Sequence, residues 1–89
     1  MWYTYILYSD KSNRFYIGST GNLEKRLERH NKGINISTKY GCPWVIVYFE
    51  VFKTNTEALL RERKIKSYKG GQAFKNLLNN EHNLAQMAE

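Results

Sequence analysis

Residues 14–33 read RFYIGSTGNLEKRLERHNKG, and the fold turns on how this stretch divides. RFYIGS is a short apolar run that carries Tyr16 and ends at Gly18-Ser19, and its aromatic and β-branched types predict a strand. TGN breaks it, and Thr20 or Asn22 can cap a helix over residues 22–32 that Gly33 stops. On that helix Leu23 and Leu27 set the inward stripe, with Arg26 and His30 as an i,i+4 pair along its edge. A strand that looks like core thus hands over a tyrosine, an arginine and a histidine within fifteen positions. It is either an ordinary amphipathic strand and helix or one wall of an active site.

Upstream, residues 2–8 alternate Trp2, Thr4, Ile6 and Tyr8 against Tyr3, Tyr5 and Leu7, which predicts another strand. The turn cluster SDKSN makes the first two strands an antiparallel hairpin. Downstream, GINISTKYGCP reads as loop, and WVIVYFEVF, residues 44–52, as a third strand, apolar on both faces and so expected at the centre of the sheet. TNTE at residues 54–57 matches a capping box, which starts a second helix over 55–68. Gly70-Gly71 ends it, and Phe74, Leu77 and Leu78 share one face of a short third helix over 72–79. The expected architecture is α/β (α+β): a small three-stranded, mostly antiparallel sheet flanked by helices in the order β-β-α-β-α-α. Residues 1–80 are expected to form one domain and residues 81–89 a disordered tail.

Composition narrows the function classes. No apolar run approaches the roughly 20 residues of a membrane span, and MWYTYILYS lacks the basic start and cleavage site of a secretory signal. Cys42 is the one cysteine, which excludes an intramolecular disulfide and favours a cytoplasmic setting. His30 and His82 with a single cysteine make a poor zinc set. The net charge of +6, from 14 Lys+Arg against 8 Asp+Glu, favours a polyanionic partner, with neither a membrane nor a small-molecule substrate expected. The basic residues gather around the first two helices, with Lys25, Arg29, Lys32, Arg63 and Lys66 as the candidate nucleic-acid contacts, while residues 76–89 hold no Lys or Arg.

Two features do not suit an ordinary core. Glu62 has Ala58, Leu59 and Ile65 among its neighbours one turn away, and a carboxylate on such a stripe is costly unless it is paired or bound to a metal. Tyr3 and Tyr5 share one strand face, Tyr16 and Gly18 share one face of the next, and a glycine so placed lets a ligand approach the backbone. Each has a plain structural reading: Glu62 pairs with a neighbouring arginine, Arg26 snorkels at a rim, and the tyrosines form a core face.

Tyr16-Ile17-Gly18, Arg26 and His30 on the next helix, and Glu62 within EALLRE form an ordered set. The set resembles the GIY-YIG nuclease superfamily, in particular the small single-domain proteins related to the nuclease module of the bacterial excinuclease C subunit. The likeness spans residues 2–78; Tyr3-Thr4-Tyr5 stands at the first half of the motif and keeps only its final tyrosine. It implies a metal-dependent DNA endonuclease, of a kind used in DNA repair or recombination, working with one Mg²⁺ or Mn²⁺ ion. By the same resemblance Glu62 is the metal ligand and Arg26 holds a non-bridging phosphate oxygen. Tyr16 is the candidate general base with Tyr5 positioning it, and His30 is the alternative, taking that proton instead or passing it on. A tyrosine pKa of about 10 requires a nearby cation for that role. Two departures stand out: Ser19 follows the glycine where some relatives carry lysine, and no asparagine aligns clearly after the second helix. The competing function is a non-catalytic nucleic-acid-binding module on the same fold; an RNA-binding or ribosome-associated role rests on charge alone.

Overall fold

The strand at the centre of the sheet is the first, β1 (Trp2–Ser9), paired on one side with β2 (Arg14–Thr20) and on the other with β3 (Trp44–Phe52), all antiparallel. The computed structural model describes residues 1–79, so the expected tail at 81–89 lies outside the described residues. Helices α1 (Leu23–Asn31), α2 (Asn55–Lys66) and α3 (Gln72–Leu78) complete the expected β-β-α-β-α-α order and the α+β class. No helix among the described residues is long and apolar enough to cross a membrane.

The expectation that residues 44–52 are central is overturned: β3 is an edge strand. Its two apolar faces report two covering layers instead. On one face Ile6 and Tyr48 pack with Ile65 of α2 and Phe74 of α3. On the other Tyr5, Leu7 and Trp44 pack with Leu23 and Leu27 of α1. A sheet covered on both sides makes every strand apolar on both sides, whatever its place in the order. The central strand is the one whose consecutive residues Thr4, Tyr5, Ile6 and Leu7 are all fully buried. Its polar tips disguise it, because Thr4 is satisfied internally, donating from Oγ1 to the Ala58 carbonyl at 2.7 Å. A bulge also breaks the β1–β3 register: Ile6 pairs with Tyr48 and Leu7 with Ile46, leaving Val47 as the extra residue. Val47 and Tyr48 therefore both pack into the same cluster, which a regular strand forbids.

Helix ends follow the sequence signals. Of the two candidate caps Asn22 serves α1, its side chain accepting from Lys25 N at 3.0 Å, and Gly33 takes φ +72° beyond the end. Thr54 and Glu57 form both halves of the capping box of α2. The segment between α1 and β3 contains a single 3-10 turn at Lys39–Gly41 and is pinned through Trp44. The indole Nε1 donates to the Thr38 carbonyl at 2.8 Å, and Asn31 exchanges two hydrogen bonds with the Trp44 backbone. Gly41 lies flat against that indole, since a Cβ there would come within 2.5 Å of Trp44 Cζ2.

Candidate active site

The β1–β2 register sets Tyr5 opposite Gly18 and Leu7 opposite Tyr16, all on the face that α1 covers. The space a side chain at Gly18 would take is filled by Tyr5: a Cβ there would lie 2.6 Å from the phenol oxygen and 2.8 Å from Cζ. The glycine thus accommodates a tyrosine ring, where the sequence suggested room for a ligand against the backbone. Tyr5 and Tyr16 lie 6.3 Å apart between ring centroids, and the His30 ring is 4.7 Å from Tyr16.

His30 is fully buried, at the middle of the cluster instead of the edge of the α1 stripe. Its Nε2 lies 3.3 Å from the Tyr5 hydroxyl and its Nδ1 2.8 Å from Thr38 Oγ1. The Thr38 hydroxyl has the Asn35 carbonyl for its own proton. A neutral imidazole protonated on Nδ1, with Nε2 accepting from Tyr5, leaves none of these protons without an acceptor. Electrostatics agree. Burial, then the nearby Arg26 and Arg29 guanidinium groups, hold the His30 pKa below its usual value. Burial, then Tyr16, push the Tyr5 phenol up to about 12 against the pull of Arg26. Arg26 is half-buried and lines a small pocket of about 190 Å³ with Arg29, His30 and Asn35.

Glu62 approaches from the opposite face, because β2 sends alternate side chains to opposite sides. Tyr16 and Gly18 turn toward α1, whereas Ser19 turns toward α2 and donates to Glu62 Oε1 at 2.7 Å. Lys66 Nζ sits 2.6 Å from Glu62 Oε2, with the carboxylate side chain 17% exposed and the lysine 53%. The Glu62 charge adds the smallest of the influences that raise the Tyr5 pKa. The partner of Glu62 is thus a lysine and not the neighbouring arginine that a plain structural reading anticipates. Arg61 is committed elsewhere, to Glu50 at 2.8 Å, which also accepts from the Tyr48 hydroxyl.

Among the expected nucleic-acid contacts Lys32 pairs with Glu28 at 3.0 Å and Lys66 with Glu62. Lys25, Arg29 and Arg63 are exposed. The sequence reading missed Thr38 and the role of Ser19 as donor to Glu62. Thr38 sits in irregular chain with no periodicity to mark it. The Glu62–Lys66 pair was in reach, because glutamate four residues ahead of lysine is the favoured helical orientation.

A family model described as the GIY-YIG catalytic domain matches residues 1–76. The chain belongs to the GIY-YIG family. Its similar proteins include a UPF0213 protein of Staphylococcus haemolyticus, 40% identical over 82% of this chain and 89% of the relative. A UPF0213 protein of Clostridium perfringens is 45% identical over 72% of this chain and 69% of its own length. The solution NMR structure of a UPF0213 protein from Bacillus halodurans is similar with TM-score 0.54 and 25% identity, covering 94% of each chain. The family is one of nucleases, which generally use a divalent metal and act on nucleic acid; the UPF0213 names themselves state no activity.

Proposed function

We propose that this chain is a divalent-metal-dependent endonuclease that hydrolyses DNA phosphodiesters, with residues 1–80 as the nuclease domain. The observation that carries the reading is the cluster of Tyr5, Tyr16 and His30 on the face that α1 covers, with Arg26 beside the Tyr5 phenol, while Glu62 lies on the opposite face of β2 against Ser19. A purely structural core has no need of a half-buried arginine beside two tyrosines on one face of the hairpin and a mostly buried glutamate on the other.

The residues divide the work by position. Arg26, with Arg29 in the same small pocket, offers a cationic seat for a phosphate, where it offsets charge that builds up during cleavage. Tyr16, half-buried and lining an open cleft, would accept a proton from an attacking water as its phenolate, having first released its own proton to solvent in the cleft. Tyr5 stays protonated and acts by position. His30, neutral and engaged at both nitrogens, holds Tyr5 and the α1 backbone in register, and is a positioning residue.

The donor set fits a hard cation. Glu62 and the Ser19 hydroxyl present only oxygen atoms, and among the described residues no group of three or more His, Cys, Asp or Glu is arranged to hold a metal, so Glu62 would be the lone carboxylate on the ion. Lys66 Nζ occupies Glu62 Oε2, so a metal ion would take the place of that ammonium at the carboxylate. One Mg²⁺ or Mn²⁺ ion, which accepts a single protein carboxylate and keeps several waters, suits Glu62. When bound, it supplies Lewis-acid stabilisation of charge on the phosphate and the leaving oxygen.

The test is incubation with branched, flapped, nicked, single-stranded and duplex DNA, with Mg²⁺, with Mn²⁺ and with chelator. Metal-dependent cutting of at least one substrate is expected. Binding without cutting of any would favour the non-catalytic module instead.

A further inference from the structure

The expected site residues do not account for a second feature beside them. A cleft of about 470 Å³ opens next to Tyr16, lined by Ser12, Arg14, Tyr40 and Trp44 among others, with no carboxylate in its wall. Its volume falls within the range of small-ligand pockets, roughly 300–1,000 Å³. Tyr40 is 75% exposed, and the Lys39 ammonium stands 4.8 Å from its ring centroid. Arg14 projects from the same strand face as Tyr16, two residues earlier. The Ser12 hydroxyl is buried and has no hydrogen-bond partner among the described residues, although its backbone N–H is satisfied by Ser9 Oγ. That oxygen is closed off from solvent, so Ser12 forms wall and offers no contact to an occupant of the cleft.

We infer that this cleft receives one unpaired nucleobase of the nucleic acid, stacked on Tyr40, with Arg14 and Lys39 on the flanking phosphates. The inference rests on the nuclease reading and deepens it, because it selects a substrate class. An exposed aromatic ring offers a stacking surface to any base. The cations and the lack of carboxylates fit a ring attached to phosphate better than a basic peptide. A base inside an intact duplex has both faces stacked and cannot enter, so the strand presented to Tyr16 and Arg26 must be single-stranded, frayed or extruded at that nucleotide.

The test uses binding in chelator, so that it does not depend on cutting. The probes are a single-stranded DNA with one 2-aminopurine, the same sequence as RNA, and the fully paired DNA duplex. With the wild-type chain, 2-aminopurine fluorescence should be quenched on the DNA or RNA strand and unchanged on the duplex. Tyr40→Ala should weaken single-strand binding about tenfold, abolish the quench and leave duplex affinity unchanged; Tyr40→Trp should retain both. Because Tyr40 is largely exposed, its truncation spares the core. Equal weakening of strand and duplex, or a quench that survives Tyr40→Ala, would overturn the inference. If the chain cuts DNA yet shows no Tyr40 dependence, the nucleobase site alone is lost. If it cuts nothing yet shows the quench and its loss, the site stands on a binding module.

Discussion

Gly18 has a tyrosine ring where its own side chain would go, and that explains why the motif closes on glycine at this position. Tyr5 is fully buried and hydrogen-bonded to His30, so it cannot swing aside for a methyl group. Gly18→Ala should therefore cost about 1–3 kcal/mol through overpacking, read as a lower urea midpoint at unchanged slope; an unchanged midpoint would contradict the packing described. The same cluster fixes two pH windows. The His30 pKa is lower folded than unfolded, so its contribution to stability is present above about pH 6.5 and is lost as pH falls through the folded value. The Tyr5 pKa is raised, so its contribution is whole below about pH 10 and lost as pH rises toward about 12. Unfolding of His30→Gln across pH 5–7 should show a flatter dependence than wild type. At this scale Tyr16, Arg26 and Glu62 stand out as candidates through the resemblance to the family, on the order in which they occur. The sequence hid Thr38, because a side chain that fixes a buried histidine from an irregular loop leaves no periodic mark.

Among the elements, β2 carries the most candidate site residues with the least core. As an edge strand it has one free side, and its alternation sends Tyr16 to α1 and Ser19 to α2. One strand thereby joins residues from both layers. Helix positions and caps were legible to within a residue or two because capping chemistry is local. Strand order was not, since it depends on which faces the helices cover, and the apolar run 44–52 carries the same signal at an edge as at the centre. The Thr54 cap gives a clean check on α2. Thr54→Ala should lower stability by about 1 kcal/mol and leave any cleavage at saturating DNA unchanged, because Glu62 lies two turns further along the helix. Loss of cleavage in a still-folded Thr54→Ala protein would mean that α2 positions Glu62 less rigidly than its packing implies.

Over the whole molecule the question is what the charge of +6 does. Pairing with Glu28, Glu50 and Glu62 already engages Lys32, Arg61 and Lys66, which leaves Lys25, Arg29, Arg63 and Lys64 as exposed cations of the first two helices with no ion pair among the described residues. DNA affinity should fall steeply with salt, and Lys25→Ala or Arg29→Ala should each lower the slope of log K against log salt by about one. Both should weaken different sequences alike, since phosphate contacts carry no base information. Lys32→Ala should change that slope less. Affinity that ignores salt would remove the basic surface from the account.

The central claim is that Glu62 holds a cation needed for cleavage, and the direct measurement is a Mg²⁺ and Mn²⁺ titration of wild type and Glu62→Gln beside a DNA cleavage assay. Glutamine keeps the shape and can still accept from Ser19, so the fold and DNA binding should survive. Divalent-ion affinity and cleavage should both be lost. If Glu62 served only to pair with Lys66, a contact of that exposure would contribute at most about 1 kcal/mol and cleavage would continue. A folded Glu62→Gln protein that binds the ion and cuts at the wild-type rate would contradict the claim.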